Sequence, residues 1–351
     1  MSSAASTRGL GALSARWQRA VHEHAIALAW DSSGAALVVG DAAGTVWGFE
    51  ASSGRPRWRG LQVHEGGVLA LAAHPTRPWV VSGGQDGRAL LWDVERGAVE
   101  AELDGERRWV EHAAWSPNGD WVATSSGAHV SLWDPGGARV WRSERYAGAV
   151  IGLGWCGVRE LAVACNGELS VWEAPSGALA QRFSWRGAPC ALALPSTGPV
   201  LAVACQDNMV RFWRRETGKA SFIAGYPHKP SALCFDPSGA LLATCDGPDI
   251  SVWSFEGEGP EGREPAFLAL HEGAVSALAF GQWGRALASG GQDAGLVLWE
   301  LGPTGHGEPV GAGVAMGPVE RVAFSPDDRA LAAVDAAGGV SVWDRAMRTS
   351  K

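Results

Sequence analysis

A fixed spacing of aromatic residues constrains this chain more than any other feature. Trp92, Trp133, Trp172, Trp213, Trp253, Trp299 and Trp343 each end a short apolar run, reading ALLW, VSLW, LSVW, VRFW, ISVW, LVLW and VSVW. Phe49, in TVWGF, holds the same place earlier, and successive closing aromatics lie about 40–46 residues apart. Upstream of each lie two more strand-like runs. One alternates, as in VLALAAHP and VERVAFSP; the other is short, as in WVVSGG, LAVAC and LLATC. Gly, Pro, Asn and Asp between them supply turns. A more polar fourth run follows each aromatic, as in GAVEAEL and GALAQRF. Each unit therefore predicts four short antiparallel strands.

A period of this length is that of a four-stranded propeller blade. The units resemble WD repeats, and the resemblance runs from about Arg16 to Arg345. It implies an all-β fold: a single closed β-propeller of eight four-stranded blades, with seven as the alternative count. After Trp343 only DRAMRTSK remains, too little for a fourth strand. The run ARWQRAV, Ala15 to Val21, is spare and is expected to complete the last blade, removing an open edge. The expected organisation is a flexible tail over 1–13, the propeller over 14–347 and a C-terminal tail over 348–351.

Two units share almost one phrase, VSGGQDGRALLWD and ASGGQDAGLVLWE. In WD repeats such residues resemble a buried hydrogen-bonded relay. Here it would consist of His64, Ser82, Asp86 and Trp92 in blade two, and His271, Ser289, Asp293 and Trp299 in blade seven. The Asp accepts from His or backbone N–H, and the indole donates to the Ser hydroxyl. Ser, His and Asp also invite a hydrolase reading, but a nucleophile needs an exposed position and an oxyanion hole. Residues repeated as blade staples are expected to be buried. Blades one and eight have only DAAG turns at Asp41 and Asp335, and blade four lacks the Asp. His22 or His24 is the candidate relay histidine of blade one, with a metal pair as the other reading.

The remaining chemistry is sparse. Net charge is -8, which argues against a nucleic-acid surface. No signal peptide and no run of about 18 apolar residues is recognisable, so no membrane is expected. The six cysteines form no close CxxC pair, which fits a reducing cytoplasm. Cys165, Cys205 and Cys245 lie in register, but thiols on adjacent blades are too far apart to share an ion at about 2.3 Å. They read as small buried apolar residues. There is no phosphate loop of the GxxxxGK type. The innermost strands carry few charges; Glu111, His112, Glu320 and Arg321 are exceptions spread over different blades. No catalytic residue, metal or cofactor is expected. Lys219, Lys229 and Lys351 are the only lysines, and an Arg-, Ala- and Gly-rich composition hints at a GC-rich bacterial genome.

One insert, SFEGEGPEGREPAFLALHEG, reads as a long surface loop. With its flanks, GYPHKPSALCFDPSGALLATCDGPDISVW and ASGGQDAGLVLW, it resembles a narrower group of bacterial WD-repeat proteins encoded beside metal-chaperone GTPases of the cobalamin-synthesis-W type. That resemblance implies a link to zinc homeostasis as an accessory protein.

The main expectation is a monomeric, non-catalytic scaffold that binds other proteins, with a propeller enzyme whose site lies in the channel mouth as the less favoured alternative. The loops entering blades three to six read ERRWVE, ERYAGA, SWRGAP and GYPHKP. They carry Arg107, Arg108, Trp109, Arg145, Tyr146, Trp185, Arg186, Tyr226, His228 and Lys229. Aromatics and Arg are enriched at interface hot spots, and a cationic arc suits an acidic protein segment. Inward packing is the alternative for Trp109 and Trp185.

Overall fold

Thirty-two short strands form among the described residues, four to each sequence unit, and no helix is present. The structure, a computed structural model, describes residues 13–103, 108–257, 259–283 and 285–345. Each blade is a meander of four strands. Blade two runs Val68–Ala73, Trp79–Gly84, Ala89–Asp93 and Ala98–Leu103, from axis to rim. Each innermost strand packs on the innermost strand of the next blade, and the eighth returns to the first. The count is eight.

Apolar alternation decides how blades stack. The second strands are buried on both faces, as in Glu160–Cys165 and Val200–Cys205. Their side chains fill the seams between neighbours. One seam joins Val38 and Val46 of blade one to Val68, Leu90 and Trp92 of blade two. Burial of this kind contributes roughly 1.5–3 kcal/mol per large aliphatic side chain.

Blade eight closes the ring. Its strands Val319–Phe324, Ala330–Asp335 and Gly339–Asp344 are completed by Ser14–Ala20, antiparallel, with Ser14 opposite Asp344 and Ala20 opposite Gly339. Arg16 clamps the Asp344 carboxylate from two nitrogens at 3.0 and 2.6 Å. Trp17 is buried against Phe49 and donates its indole N–H to the Ala51 carbonyl at 2.8 Å. The terminal strand thereby joins blade eight to blade one.

In a four-stranded meander, the loops entering a blade and the turns between its second and third strands share one face. The other turns share the opposite face.

Candidate functional site

The relay lies under the first of these faces. In blade two the His64 Nδ1–H donates to Asp86 at 3.0 Å, and Nε2 accepts from the Ser82 hydroxyl at 2.8 Å. The Trp92 indole donates to Ser82 Oγ at 2.9 Å. Asp86 also accepts the Arg88 and Glu65 amides at 3.0 and 3.1 Å. Burial pushes the His64 pKa down, in keeping with a neutral ring between a carboxylate and a hydroxyl. Blade seven repeats this with His271, Asp293, Ser289 and Trp299 at 3.2, 2.8 and 2.9 Å. Ser82 and Ser289 are fully buried, so no substrate reaches either hydroxyl.

The glycines of the repeated phrase have a steric cause. A Cβ on Gly84 would lie 2.3 Å from His64 Nδ1, and one on Gly291 would lie 2.5 Å from Asp293 Oδ1. Gly84 and Gly291 pair with Val68 and Val275, the first residues of the innermost strands. Cys165, Cys205 and Cys245 stand at the matching end of their second strands. Those blades have no relay histidine at the loop, so the matching position tolerates a side chain where blades two and seven need glycine. In blades one and eight the place belongs to Asp41 and Asp335 themselves. Asp41 accepts the Ala43 and Thr45 amides at 3.0 and 2.9 Å and the Trp47 indole directly at 2.8 Å. Neither His22 nor His24 enters a relay. His22 is exposed with its ring edge on Trp47, and His24 faces Glu320 at 3.5 Å.

The tyrosines require a correction. Tyr146 and Tyr226 are buried, not surface docking residues. In blade four the Trp172 indole donates to Tyr146 Oη at 2.7 Å, and Tyr146 Oη lies 3.0 Å from Ser170 Oγ. In blade six Trp253 donates to Tyr226 Oη at 2.9 Å, which lies 2.8 Å from Thr244 Oγ1. Both hydroxyls are pushed up to about 12 by burial. Each tyrosine does the work of a relay histidine. The signal is positional: His64, Tyr146, Trp185, Tyr226 and His271 open HEGGV, YAGAV, WRGAP, YPHKP and HEGAV, each four residues before the apolar residue that enters the blade. Trp185 follows the same rule by packing, with its ring 5.1 Å from Trp213.

The rest of the loop arc is at the surface. Arg108, Arg145, Arg186, His228 and Lys229 are exposed, and Trp109 is 53% exposed. Arg107 lies outside the described residues. Several arginines elsewhere are ion-paired, such as Arg88 with Glu102 at 2.8 Å and Arg215 with Glu160 at 2.7 Å. Among the described residues Arg108, Arg145, Arg186 and Lys229 have no carboxylate partner.

Comparison with known proteins agrees with this geometry. The family model for "WD domain, G-beta repeat" matches residues 56–93, 97–134, 181–214 and 263–300. Those matches fall on a ring of eight four-stranded blades. The chain belongs to the WD-repeat β-propeller family. WD repeat- and FYVE domain-containing protein 4 of Homo sapiens is 27% identical over 235 residues, 64% of this chain and 6% of that protein. Telomerase protein component 1 of Mus musculus is 22% identical over 255 residues, 68% of this chain and 10% of that protein. Small ribosomal subunit protein RACK1y of Oryza sativa subsp. japonica is 35% identical over 74 residues, 21% of this chain and 22% of that protein. The aligned part is thus a tenth or less of the first two relatives. All three are eukaryotic and lend no support to the bacterial reading of the composition. The crystal structure of the computationally designed Ika8 protein covers 96% of this chain with a TM-score of 0.79 at 22% identity, a likeness of fold.

The axis of the WD-repeat propeller holds one further group. Glu111, His112 and Arg321, from blades three and eight, line a single cavity of ≈ 250 Å³ with Leu28, Leu69 and Leu153. Position in separate blades does not keep them apart, because every innermost strand faces the axis. Burial pushes Glu111 up and His112 down, and Arg321 adds to the latter. The buried thiols Cys165 and Cys245 are pushed up to about 11 by burial. Among the described residues no group of three His, Cys, Asp or Glu could hold a metal ion.

Proposed function

We propose that this propeller is a non-catalytic interaction scaffold that docks an acidic protein segment on its blade-entry loop face. One observation carries the reading. Four exposed cations, Arg108, Arg145, Arg186 and Lys229, lie on successive loops with no carboxylate partner among the described residues, beside the exposed Trp109. Unpaired guanidinium groups can take carboxylates in bidentate geometry at little desolvation cost. On a chain of net charge -8, such an arc steers and orients an acidic partner. The relatives fit this class of function, since WD-repeat propellers hold other proteins. Six free cysteines suit a reducing, cytoplasmic compartment. The metal-handling reading has no observation of its own among the described residues.

The test is affinity capture followed by mass spectrometry. Arg108→Glu with Arg186→Glu should abolish recovery of the main partner while the melting temperature holds. Trp283→Ala, at a residue 72% exposed on the opposite face, should leave recovery intact. Recovery unchanged by the charge reversals but lost with Trp283→Ala would overturn the assignment.

A further inference from the structure

The outer ends of blades two, four and six can be compared through their strand registers. Two positions face one another there: the residue four before the closing Trp, and the residue paired across to the outer strand from the one two before it. In blade two these are Arg88 and Glu102, ion-paired at 2.8 Å. In blade four they are Glu168 and Arg182, ion-paired at 3.2 Å with the charges exchanged. In blade six they are Asp249 and Phe267. The acid is present and its arginine is missing.

The space the arginine would fill is open. A groove of ≈ 340 Å³ lies where the loop entering blade six meets that blade's outer strands. Tyr226, Trp253 and Phe267 form its aromatic lining, and Asp246, Asp249 and Glu264 stand around it. None of these acids has a Lys or Arg partner among the described residues, and neither His228 nor Lys229 of the adjoining loop lines the groove. Phe267 is 65% exposed on a strand of only three residues, Ala266–Leu268. An aromatic floor with carboxylates at its rim selects a cation that is planar and weakly hydrated, because ring stacking and bidentate hydrogen bonding then act together.

We propose that this groove on blade six is a binding site for an arginine side chain of a partner protein, seated on Phe267 and held by Asp249. The partner's guanidinium takes the place that Arg182 holds in blade four. The site is separate from the loop-face reading: its chemistry is opposite in charge, and it uses none of Arg108, Arg145 or Arg186.

The experiment titrates the full chain with the capped peptide acetyl-Gly-Arg-Gly-amide and with its neutral citrulline isostere, followed by NMR. The arginine peptide should bind at millimolar concentration, and the citrulline peptide at least about tenfold more weakly. Asp249→Asn should weaken the arginine peptide by a similar factor. Phe267→Arg would recreate within blade six the pair of blade four; it should block the peptide while the melting temperature holds or rises. No binding of the arginine peptide, equal binding of both peptides, or binding that survives Asp249→Asn would each overturn the proposal. Because the readout does not involve Arg108 or Arg186, its failure is distinct from failure of the loop-face reading.

Discussion

Blades two and six satisfy the same buried need in different ways. Each has an indole N–H that requires an acceptor where little water reaches. Blade two uses a chain of four side chains ending on the Asp86 carboxylate. Blade six uses a tyrosine hydroxyl, and its chain ends through Thr244 Oγ1 on the Ser251 carbonyl at 3.3 Å. Trp92 is 2% exposed, whereas Trp253 is only partly buried. The lesson is that the requirement is an acceptor at one point in space; in this pair the ionisable version accompanies the deeper tryptophan. The two versions also differ in proton linkage. Folding lowers the pKa of both His64 and Asp86, whereas burial pushes the Tyr226 hydroxyl up to about 12.

The contrast can be broken first at the carboxylate. Asp86→Ala leaves the His64 N–H and two backbone amides without their acceptor and should cost about 1–3 kcal/mol in denaturant unfolding. Asp293→Ala should behave alike, because blade seven has the same relay. A variant that keeps full stability would show that the relay is ornamental. Tyr226→Phe removes one hydroxyl beside a partly hydrated indole, so about 1 kcal/mol is expected from the same measurement. A loss as large as that of Asp86→Ala would erase the distinction between the two versions.

The smallest effect is in pH. The folded pKa of His64 is held below its ordinary 6.5 by burial. Above 6.5 the ring is neutral in both states and pH has no effect. As pH falls below 6.5 the unfolded chain takes up the proton first, so stability is lost until the folded pKa is reached. Asp86, whose folded pKa is also lowered, loses its contribution only as pH falls below its ordinary 3.8. His64→Gln should therefore flatten the stability slope between pH 7 and 5, leaving what His74 and His112 contribute. Tyr226→Phe should leave the slope unchanged. A slope equally steep in both variants would assign it to other groups.

Most of the architecture was legible in the sequence because it is written eight times. A period and a closing aromatic suffice to count blades, and the spare strand follows from what remains after Trp343. The relay residues were legible only where the whole phrase recurs. Tyr146 and Tyr226 were misplaced because their loop membership was weighed and their offset from the entering apolar residue was not. That offset sets which side chain reaches under the blade, whereas loop membership sets only the face. The meeting of Glu111, His112 and Arg321 in one axial cavity was missed for a related reason. A linear reading separates residues 111 and 321, but the ring turns both toward one axis. The groove of blade six had no sequence signature, because it is defined by an arginine that blade four has and blade six lacks.

The closing strand has a mechanical consequence. Ser14 and Asp344 face each other at the same end of an antiparallel pair. Tension applied across those two residues pulls perpendicular to the strands and opens the pair one rung at a time, beginning at the Arg16–Asp344 clamp. No rung shares the load with the next, so the seam yields at low force, whereas a blade pulled along its strands must shear several rungs together. A propeller pulled across that seam would therefore part first at blade eight, releasing Trp17 from Phe49 and turning a closed disc into an open ribbon.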